Sequence, residues 1–262
     1  MKEYPILFKG EMVRAIRNTK RRVWPVEPMD WGRPFKWQTR RIMKPQPDGR
    51  LYDPSPNEKG LWEFSGEVEP EEVAQAEWRY PYGQLSDLLW VKETWGGLFN
   101  NLGVYLHWHD TRREFRTKGR CVGAFYQATD DNDDYNGHYA PSIFMPRWAS
   151  RETLLQKKIR VEPVKNIQWR DVFAEGVGVA REPRDWADET LLSIHLRMQF
   201  SELWNEINGR PKPSKRNPYT NAPEECYVSY PWDDVCEVEA YRGRAHYVVG
   251  NPMVWVISFM RM

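Results

Sequence analysis

The chain is short of cysteine and of long apolar runs, and each shortage excludes a class of protein. Its 262 residues include three cysteines and no Cys-x-x-Cys pair, which argues against a disulfide framework and against a zinc knuckle. No apolar run approaches the roughly 18 residues that cross a bilayer, and residues 1–5 lack the apolar core of a signal peptide. We therefore expect a cytoplasmic protein with no membrane partner.

An excess of charge is also lacking. The formal net charge of +1 argues against a protein that coats nucleic acid through a broad cationic face, so any such contact should be local. One local patch has five positive charges and no acid, at Arg33, Lys36, Arg40, Arg41 and Lys44. What is abundant is tryptophan, with fourteen residues whose rings can fill a core or stack on bases. We expect most of them in the core.

The order of apolar and polar residues predicts short strands and helices separated by long polar segments. Strands are predicted at residues 6–8, 87–95, 119–128, 153–164 and 253–262. Helices are predicted at residues 10–16, 71–76, 166–174 and 188–208, the last ending at Gly209. Residues 45–81 and the proline-rich residues 210–231 are predicted to be irregular. Scattered strands with few helices favour an α+β, barrel-like domain.

The most informative stretch places an amine three residues before a hydroxyl. Lys36 and Thr39 are followed by two guanidinium groups, Arg40 and Arg41. Pro34 suits the first position of a helical turn, on which residues i and i+3 share a face. Such a turn would bring the amine to the hydroxyl near a helix N-terminus, whose partial positive charge favours an oxyanion. The alternative is a basic surface turn whose charges are simply solvated.

Seven segments resemble, in the same order along the chain, phage and prophage proteins of the ASCH family. Six are Ile-Leu-Phe, Met-Val-Arg-Ala-Ile, Gln-Thr-Arg-Arg, Lys-Pro-Gln-Pro, Trp-Val-Lys-Glu-Thr-Trp and Trp-Val-Ile, at residues 6–8, 12–16, 38–41, 44–47, 90–95 and 255–257. The seventh and most distinctive is Pro-Ser-Ile-Phe-Met-Pro-Arg-Trp-Ala-Ser-Arg at 141–151. The resemblance implies one α+β domain over residues 1–262, a PUA-like (ASCH) β-barrel with flanking helices. Long loop insertions would lie near residues 17–35, 48–82, 97–118 and 209–250.

The resemblance also implies a chemistry. Small members of the wider ASCH family hydrolyse the amide of N4-acetylcytidine with a lysine, a threonine three residues later and a glutamate on a helix. Lys36, Thr39 and Glu175 match these three by order and local pattern. The implied function is a cofactor-free amidohydrolase for an N4-acylated cytosine nucleoside or a modified nucleobase. Lys20, in the insertion at 17–35, competes with Lys36, but the Gln-Thr-Arg-Arg register favours Lys36.

Amide hydrolysis needs a nucleophile, a base, an oxyanion donor and an acid for the leaving amine. In one assignment Thr39 attacks, a neutral Lys36 accepts its proton, and Glu175 orients the lysine. In the other, Lys36 stays charged as the oxyanion donor and Glu175 is the base for water. Arg40 and Arg41 should lower the pKa of Lys36, whereas Glu175 should raise it, so the sequence leaves both assignments open.

Six further residues are predicted to contact the substrate: Arg40, Arg41, Glu93, Trp95, Arg147 and Trp148. The arginines at 40 and 41 would form an anion clamp, and the pair at 147 and 148 would grip phosphate and stack on a base. The other two would line the pocket, and all could instead be structural. A pair of histidines, His107 and His109, lacks a third ligand, so no metal site is predicted.

Two other functions stay open. One is a non-catalytic module that binds a modified base in RNA or DNA through the same pocket. The other is a phage accessory protein, acting in counter-defence or assembly through protein contacts.

Overall fold

The computed structural model describes residues 1–24, 33–47, 52–57, 61–65, 78–99, 121–129, 139–178 and 184–262. Over these ranges the protein is α+β, with strands outnumbering helices, as the sequence predicted. No helix in the same ranges has both the length and the apolar character needed to cross a membrane. The helix predicted at 71–76, and the histidines at 107 and 109, lie outside the described residues.

A five-stranded sheet forms the centre of the molecule, in the order β1-β6-β9-β14-β2. Its strands are β1 Glu3–Leu7, β6 Leu88–Lys92, β9 Thr153–Pro163, β14 Met253–Arg261 and β2 Gln38–Ile42. The β1 and β6 strands are parallel, and the other neighbours are antiparallel. Eight of the nine residues of β14 are buried, because both faces of the sheet are covered at this strand.

Within the described ranges, three α-helices accompany the sheet: α1 Gly10–Arg17, α2 Trp169–Ala174 and α3 Trp186–Asn208. The Asp185 carboxylate caps α3 by accepting a hydrogen bond from the Asp188 amide at 2.8 Å. The buried face of α3 packs with α2 and with β14, and is formed by Leu192, Leu196, Phe200 and Trp204. Met198, which the apolar spacing would place on this face, is 56% exposed.

Residues 210–231 are not the irregular segment predicted from their prolines. They carry β10 Lys212–Arg216 and β11 Pro223–Ser229, which join β13 Arg244–Val249 and β12 Cys236–Tyr241 in the order β10-β11-β13-β12. The prolines fit because β10 is an edge strand and Pro223 is the first residue of β11, positions where a missing amide donor is tolerated.

The prediction for residues 45–81 is also wrong in part. A three-stranded sheet lies there, formed by β3 Tyr52–Pro56, β4 Leu61–Ser65 and β5 Trp78–Arg79. Trp62 packs edge-on against Trp255 of the central sheet, with ring centroids 5.4 Å apart. Among the described residues, the buried tryptophans are Trp62, Trp78, Trp95, Trp169, Trp204 and Trp255.

The strand predicted at 87–95 is interrupted after β6, and a separate hairpin begins at Trp95. Its strands are β7 Trp95–Phe99 and β8 Cys121–Tyr126. In the described part of the chain the four sheets stay separate, and the central sheet has β1 and β2 as edges. The α+β class is therefore confirmed, whereas a closed barrel is not formed by these residues.

Candidate active site

Lys36 lies in an extended segment immediately before β2, so the helical turn predicted from Pro34 is wrong. Its main chain forms an isolated antiparallel bridge with Glu175, at the end of α2. The Lys36 amide donates to the Ala15 carbonyl at 3.1 Å, and the Trp37 amide donates to the Ala174 carbonyl at 3.0 Å. These contacts with the ends of two helices supply tertiary partners for the backbone and hold it extended.

The side chains of Lys36 and Glu175 meet in the interior. Lys36 Nζ donates to Glu175 Oε2 at 2.9 Å and to the Glu175 main-chain oxygen at 2.6 Å. The two residues are 3% and 6% exposed. Lys20, the competing lysine, is exposed. Of the two candidate lysines, Lys36 is therefore the one that the fold places beside the glutamate.

Gly176 allows this approach. Its φ of +82° is a left-handed conformation that follows the end of α2 and that glycine adopts without strain. A Cβ atom at this position would lie 3.1 Å from the Ala15 Cβ and 3.3 Å from the Lys36 Cβ. The glycine thus lets the Lys36 segment pass close to the helix end.

Burial is the largest influence on the Lys36 amine and lowers its pKa, because the charged form loses its hydration. The neighbouring Glu175 carboxylate acts in the opposite direction. Arg41 and Arg40 add smaller effects that lower the pKa further. The net direction is downward, towards the neutral amine, although burial rather than the two arginines is the main cause.

Arg40 holds the other oxygen of the same carboxylate. Its Nη1 donates to Glu175 Oε1 at 3.0 Å, and its Nη2 donates to Glu162 at 2.6 Å and to Asp171 at 3.1 Å. Arg160 also donates to both of these acids, to Glu162 at 3.0 Å and to Asp171 at 2.7 Å. With its guanidinium surrounded by three carboxylates and only 5% exposed, Arg40 is placed to position Glu175 rather than to clamp a substrate.

Two of the three carboxylate partners of Arg40, Asp171 and Glu162, were not predicted from the sequence. Each nevertheless had a local sequence signal. Asp171 precedes Glu175 by four residues, so a helical segment brings them to one face. Glu162 follows Arg160 by two residues in β9, which places both on one face of the strand. What the sequence did not indicate was that these faces converge on β2.

A cavity of about 630 Å³ opens beside this cluster. Its lining includes polar residues, Lys36, Thr39, Arg40, Arg41 and Glu175, and apolar residues of α3, namely Phe200, Leu203, Trp204 and Ile207. Thr39 and Arg41 lie on one face of β2, and Thr39 is 4% exposed. In the described part of the chain, no hydrogen bond joins the Lys36 amine to the Thr39 hydroxyl.

A second cavity of about 840 Å³ adjoins the first and shares Met12, Val177 and Leu203 with it. Its lining includes Arg14 and Arg17 of α1, but not Lys36 or Glu175. The cluster therefore belongs to the smaller cavity.

Glu93 lies elsewhere, outside the described residues that line either cavity. It is 1% exposed and accepts two hydrogen bonds from Arg151, at 2.9 and 2.8 Å. Burial raises the pKa of Glu93, and the Arg151 guanidinium opposes this. The structure gives Glu93 a buried ion pair in place of the predicted pocket position.

Trp95, Arg147 and Trp148 form a separate group that also lies away from the described lining of both cavities. Trp95 is buried, and its ring meets that of Trp148 edge to face, with centroids 5.7 Å apart. Arg147 donates two hydrogen bonds to Glu3, at 2.6 and 2.9 Å. The predicted phosphate grip is thus occupied by a carboxylate, while Trp148 is 51% exposed.

On the four-stranded sheet, a serine lies next to a histidine, which in turn lies next to a glutamate. Ser229 Oγ is 2.9 Å from His246 Nε2, and His246 Nδ1 is 3.6 Å from Glu239 Oε2. Ser229 is 2% exposed and is not among the described residues that line the two cavities. We therefore assign this array a structural role. Among the described residues, no group of three or more His, Cys, Asp or Glu is placed to hold a metal ion.

Comparisons of the chain with protein-family models, with curated proteins and with solved structures found no match. The chemistry of the site therefore rests on its own geometry. Its central feature is the buried Lys36 amine and the Glu175 carboxylate in the wall of a cavity that Thr39 also lines.

Proposed function

We propose that the protein is an amidohydrolase that removes the acyl group from an N4-acylated cytosine nucleoside or a similar modified base, within a PUA-like domain of the ASCH type. One observation carries the proposal. A buried lysine amine lies 2.9 Å from a buried carboxylate, and both line a cavity together with a threonine. The resemblance of the sequence to ASCH proteins supplies the substrate class.

The hydrogen bonds of Lys36 suit a base. A neutral amine has two N–H groups and one lone pair, and two donations go to the main-chain oxygen and the carboxylate of Glu175. The lone pair then remains to accept a proton from Thr39. Burial favours this form because it lowers the pKa of Lys36.

In the proposed reaction, Thr39 Oγ attacks the acyl carbon while Lys36 takes the hydroxyl proton. The C–N bond breaks, and the proton passes from Lys36 to the departing N4 amine. A water molecule then attacks the acyl-threonine ester and loses a proton to Lys36. The ester C–O bond breaks, Thr39 Oγ takes that proton back from Lys36, and the carboxylic acid is released. Arg40 holds Glu175 in place through Oε1 and thereby orients the lysine.

A second assignment uses the same residues differently. A charged Lys36 has a third N–H group, which would stabilise the oxyanion, and Glu175 would take a proton from water. Thr39 would then be dispensable. The Thr39→Ala variant distinguishes the two assignments, since it abolishes turnover only if the Thr39 hydroxyl is the nucleophile.

The dimensions of the cavity support a small-molecule or single-base substrate. Its volume of about 630 Å³ lies within the usual range for ligand pockets, roughly 300–1,000 Å³. The lining combines apolar residues of α3 with polar residues of β2, so it offers a pyrimidine both hydrophobic surface and hydrogen-bond donors.

The proposal is tested by incubating the protein with N4-acetylcytidine and separating substrate from cytidine by chromatography, with acetate measured independently. We expect stoichiometric release of cytidine and acetate by the wild type. The matched control is Thr190→Ala, since Thr190 is an exposed threonine of α3. It should retain turnover, whereas Thr39→Ala should lose it. Absence of turnover in the wild type contradicts the proposal.

A non-catalytic reader of modified bases is the second candidate. The observation that favours it is that Thr39 and Lys36, among the described residues, are not hydrogen-bonded to each other. Catalytic hydrogen bonds often tighten only when substrate binds, so this does not exclude catalysis. Binding of N4-acetylcytidine without product would select the reader.

A further inference from the structure

Three lysines from distant parts of the chain lie in the lining of the cavity or next to it. Lys9 precedes α1 and Lys44 follows β2, and both line the cavity. Lys212 opens β10, and its Nζ donates to the main-chain oxygen of Ile207, which lines the same cavity. Three separate elements thus bring their amines to one region.

The charges of Lys44 and Lys9 both act on Lys212. The pKa of Lys212 is lowered chiefly by partial burial, and in addition by the charges of Lys44 and Lys9. Like charges in proximity are unfavourable unless an anion neutralises them. Among the described residues, the carboxylate that pairs with one of these lysines is that of Glu206, which is 3.8 Å from Lys9 Nζ and 64% exposed. Solvent therefore weakens its effect.

The carboxylates deeper in the site do not relieve this repulsion. Glu175 is occupied by Lys36 and Arg40, while Glu162 and Asp171 are occupied by Arg40 and Arg160. The lysine cluster therefore presents positive charge to whatever enters the cavity. Flexible ammonium groups of this kind serve as point charges for phosphate.

We propose that Lys9, Lys44 and Lys212 bind a phosphate group of the substrate, so that the protein acts on a nucleotide rather than on a free nucleoside. The inference rests on the proposed function, because it places the acylated base at Lys36 and Thr39 and the phosphate at the lysines. The phosphate can belong to a nucleoside monophosphate or to a phosphodiester in a strand.

The lining of the cavity combines a buried amine with an exposed one. Lys36 is 3% exposed, whereas the Lys9 side chain is 58% exposed. In the proposal, a charged phosphate keeps part of its hydration beside the exposed lysines, while the base lies at the buried Lys36. The orientation of a nucleotide is thereby determined by solvation as well as by charge.

The test measures equilibrium binding by calorimetry, with no need for turnover. The ligands are cytidine, cytidine 5′-monophosphate and a cytidine dinucleotide, each at low and at moderate salt. The variants are the double change Lys44→Gln with Lys212→Gln, and a control, Lys215→Gln. Lys215 is exposed and belongs to the same strand as Lys212. Unlike Lys212, it makes no hydrogen bond to a cavity-lining residue in the described part of the chain.

We expect the wild type and the control to bind the monophosphate about tenfold or more tightly than cytidine, with the difference shrinking as salt rises. The double variant should bind both ligands within about twofold of each other, with the affinity for cytidine retained. Tighter binding of the dinucleotide than of the monophosphate assigns the phosphate to a strand, and the reverse assigns it to a free nucleotide.

Equal binding of cytidine and its monophosphate by the wild type overturns the inference, as does a preference that survives in the double variant. These outcomes are independent of hydrolysis. Turnover of N4-acetylcytidine with equal binding of the two ligands would leave the amidohydrolase standing and remove the phosphate site. A lysine-dependent preference for the monophosphate, without turnover of any acylated ligand, would leave the phosphate site standing and remove the amidohydrolase.

Discussion

Lys36 and Glu175 are joined by an antiparallel main-chain bridge and by two hydrogen bonds from Lys36 Nζ, one to Glu175 Oε2 and one to the Glu175 main-chain oxygen. The main-chain bridge does not depend on either side chain. Substitutions of the side chains therefore change the chemistry of the pair while the backbone that brings them together is retained. This separation makes the site suitable for mutational tests.

Replacing Glu175 by glutamine should reduce both turnover and stability. The substitution keeps the shape but leaves the buried Arg40 and Lys36 without their shared carboxylate, and an amide NH2 would face a donor. Removing one partner of a buried ion pair costs about 3 kcal/mol or more in the free energy of unfolding, measured by urea titration. The exposed Glu202 of α3 provides the control, as Glu202→Gln should change neither quantity.

Replacing Lys36 by arginine should abolish release of acetate from N4-acetylcytidine. A guanidinium keeps its positive charge at neutral pH and cannot act as the base. The rate is measured by product chromatography beside Lys158→Arg, a change at an exposed position of β9. Turnover in the Lys36→Arg variant would remove the lysine-base assignment and favour the one in which the cation stabilises the oxyanion.

The rate should rise with pH. Only the neutral amine can accept a proton, and burial shifts the pKa of Lys36 below the ordinary lysine value of 10.5. A plot of kcat/KM against pH should therefore ascend to a plateau whose midpoint lies below 10.5. A kcat/KM that falls as the pH rises over the same range would indicate that the protonated lysine is the active form.

Replacing Gly176 by alanine should destabilise the protein and weaken the site. The new methyl group would lie 3.3 Å from the Lys36 Cβ and 3.1 Å from the Ala15 Cβ, at a φ of +82°. Left-handed strain alone costs about 1 kcal/mol. Gly243 has a similar φ of +75°, and a Cβ atom added there would have nothing within 4 Å, so Gly243→Ala measures the strain without the contacts. We expect the larger loss in unfolding free energy, and lost turnover, only for Gly176→Ala.

Replacing Arg147 by glutamine should leave turnover within about twofold of the wild type. Its ion pair with Glu3 is exposed by about two fifths on both sides. Exposed pairs contribute at most about 1 kcal/mol to stability, so the variant should fold. A marked rise in KM for an acylated cytidine would show that Arg147 binds substrate after all, as the sequence first suggested.

Some of the fold follows from local pattern and some does not. The long strand β9 and the helix α3 were predicted within a few residues, because their length and apolar spacing are sustained. The strands β10 and β11 were missed because proline signals a loop unless its place on an edge or at a strand start is known. That place is a property of the sheet, which the local sequence does not contain.

The candidate site, too, was predicted from the sequence only in part. Spacing alone suggested that Lys36 and Thr39 share a helical face, and this was wrong because tertiary hydrogen bonds hold the segment extended. The link between Lys36 and Glu175 spans 139 positions of the sequence, so it came only from the family resemblance and not from any local rule. The role of Arg40 at the centre of three carboxylates was not foreseen for the same reason.

The order of strands in the central sheet has a consequence for how the protein is made. In the described part of the chain, β2 pairs with a single strand, β14, which is synthesised after every other strand of that sheet. Thr39 and Arg40 therefore emerge from the ribosome long before the strand that they pair with exists. Contacts so distant in sequence form slowly. The candidate site should thus remain incomplete, with β2 open to wrong pairings, until residues 253–261 insert between β9 and β2.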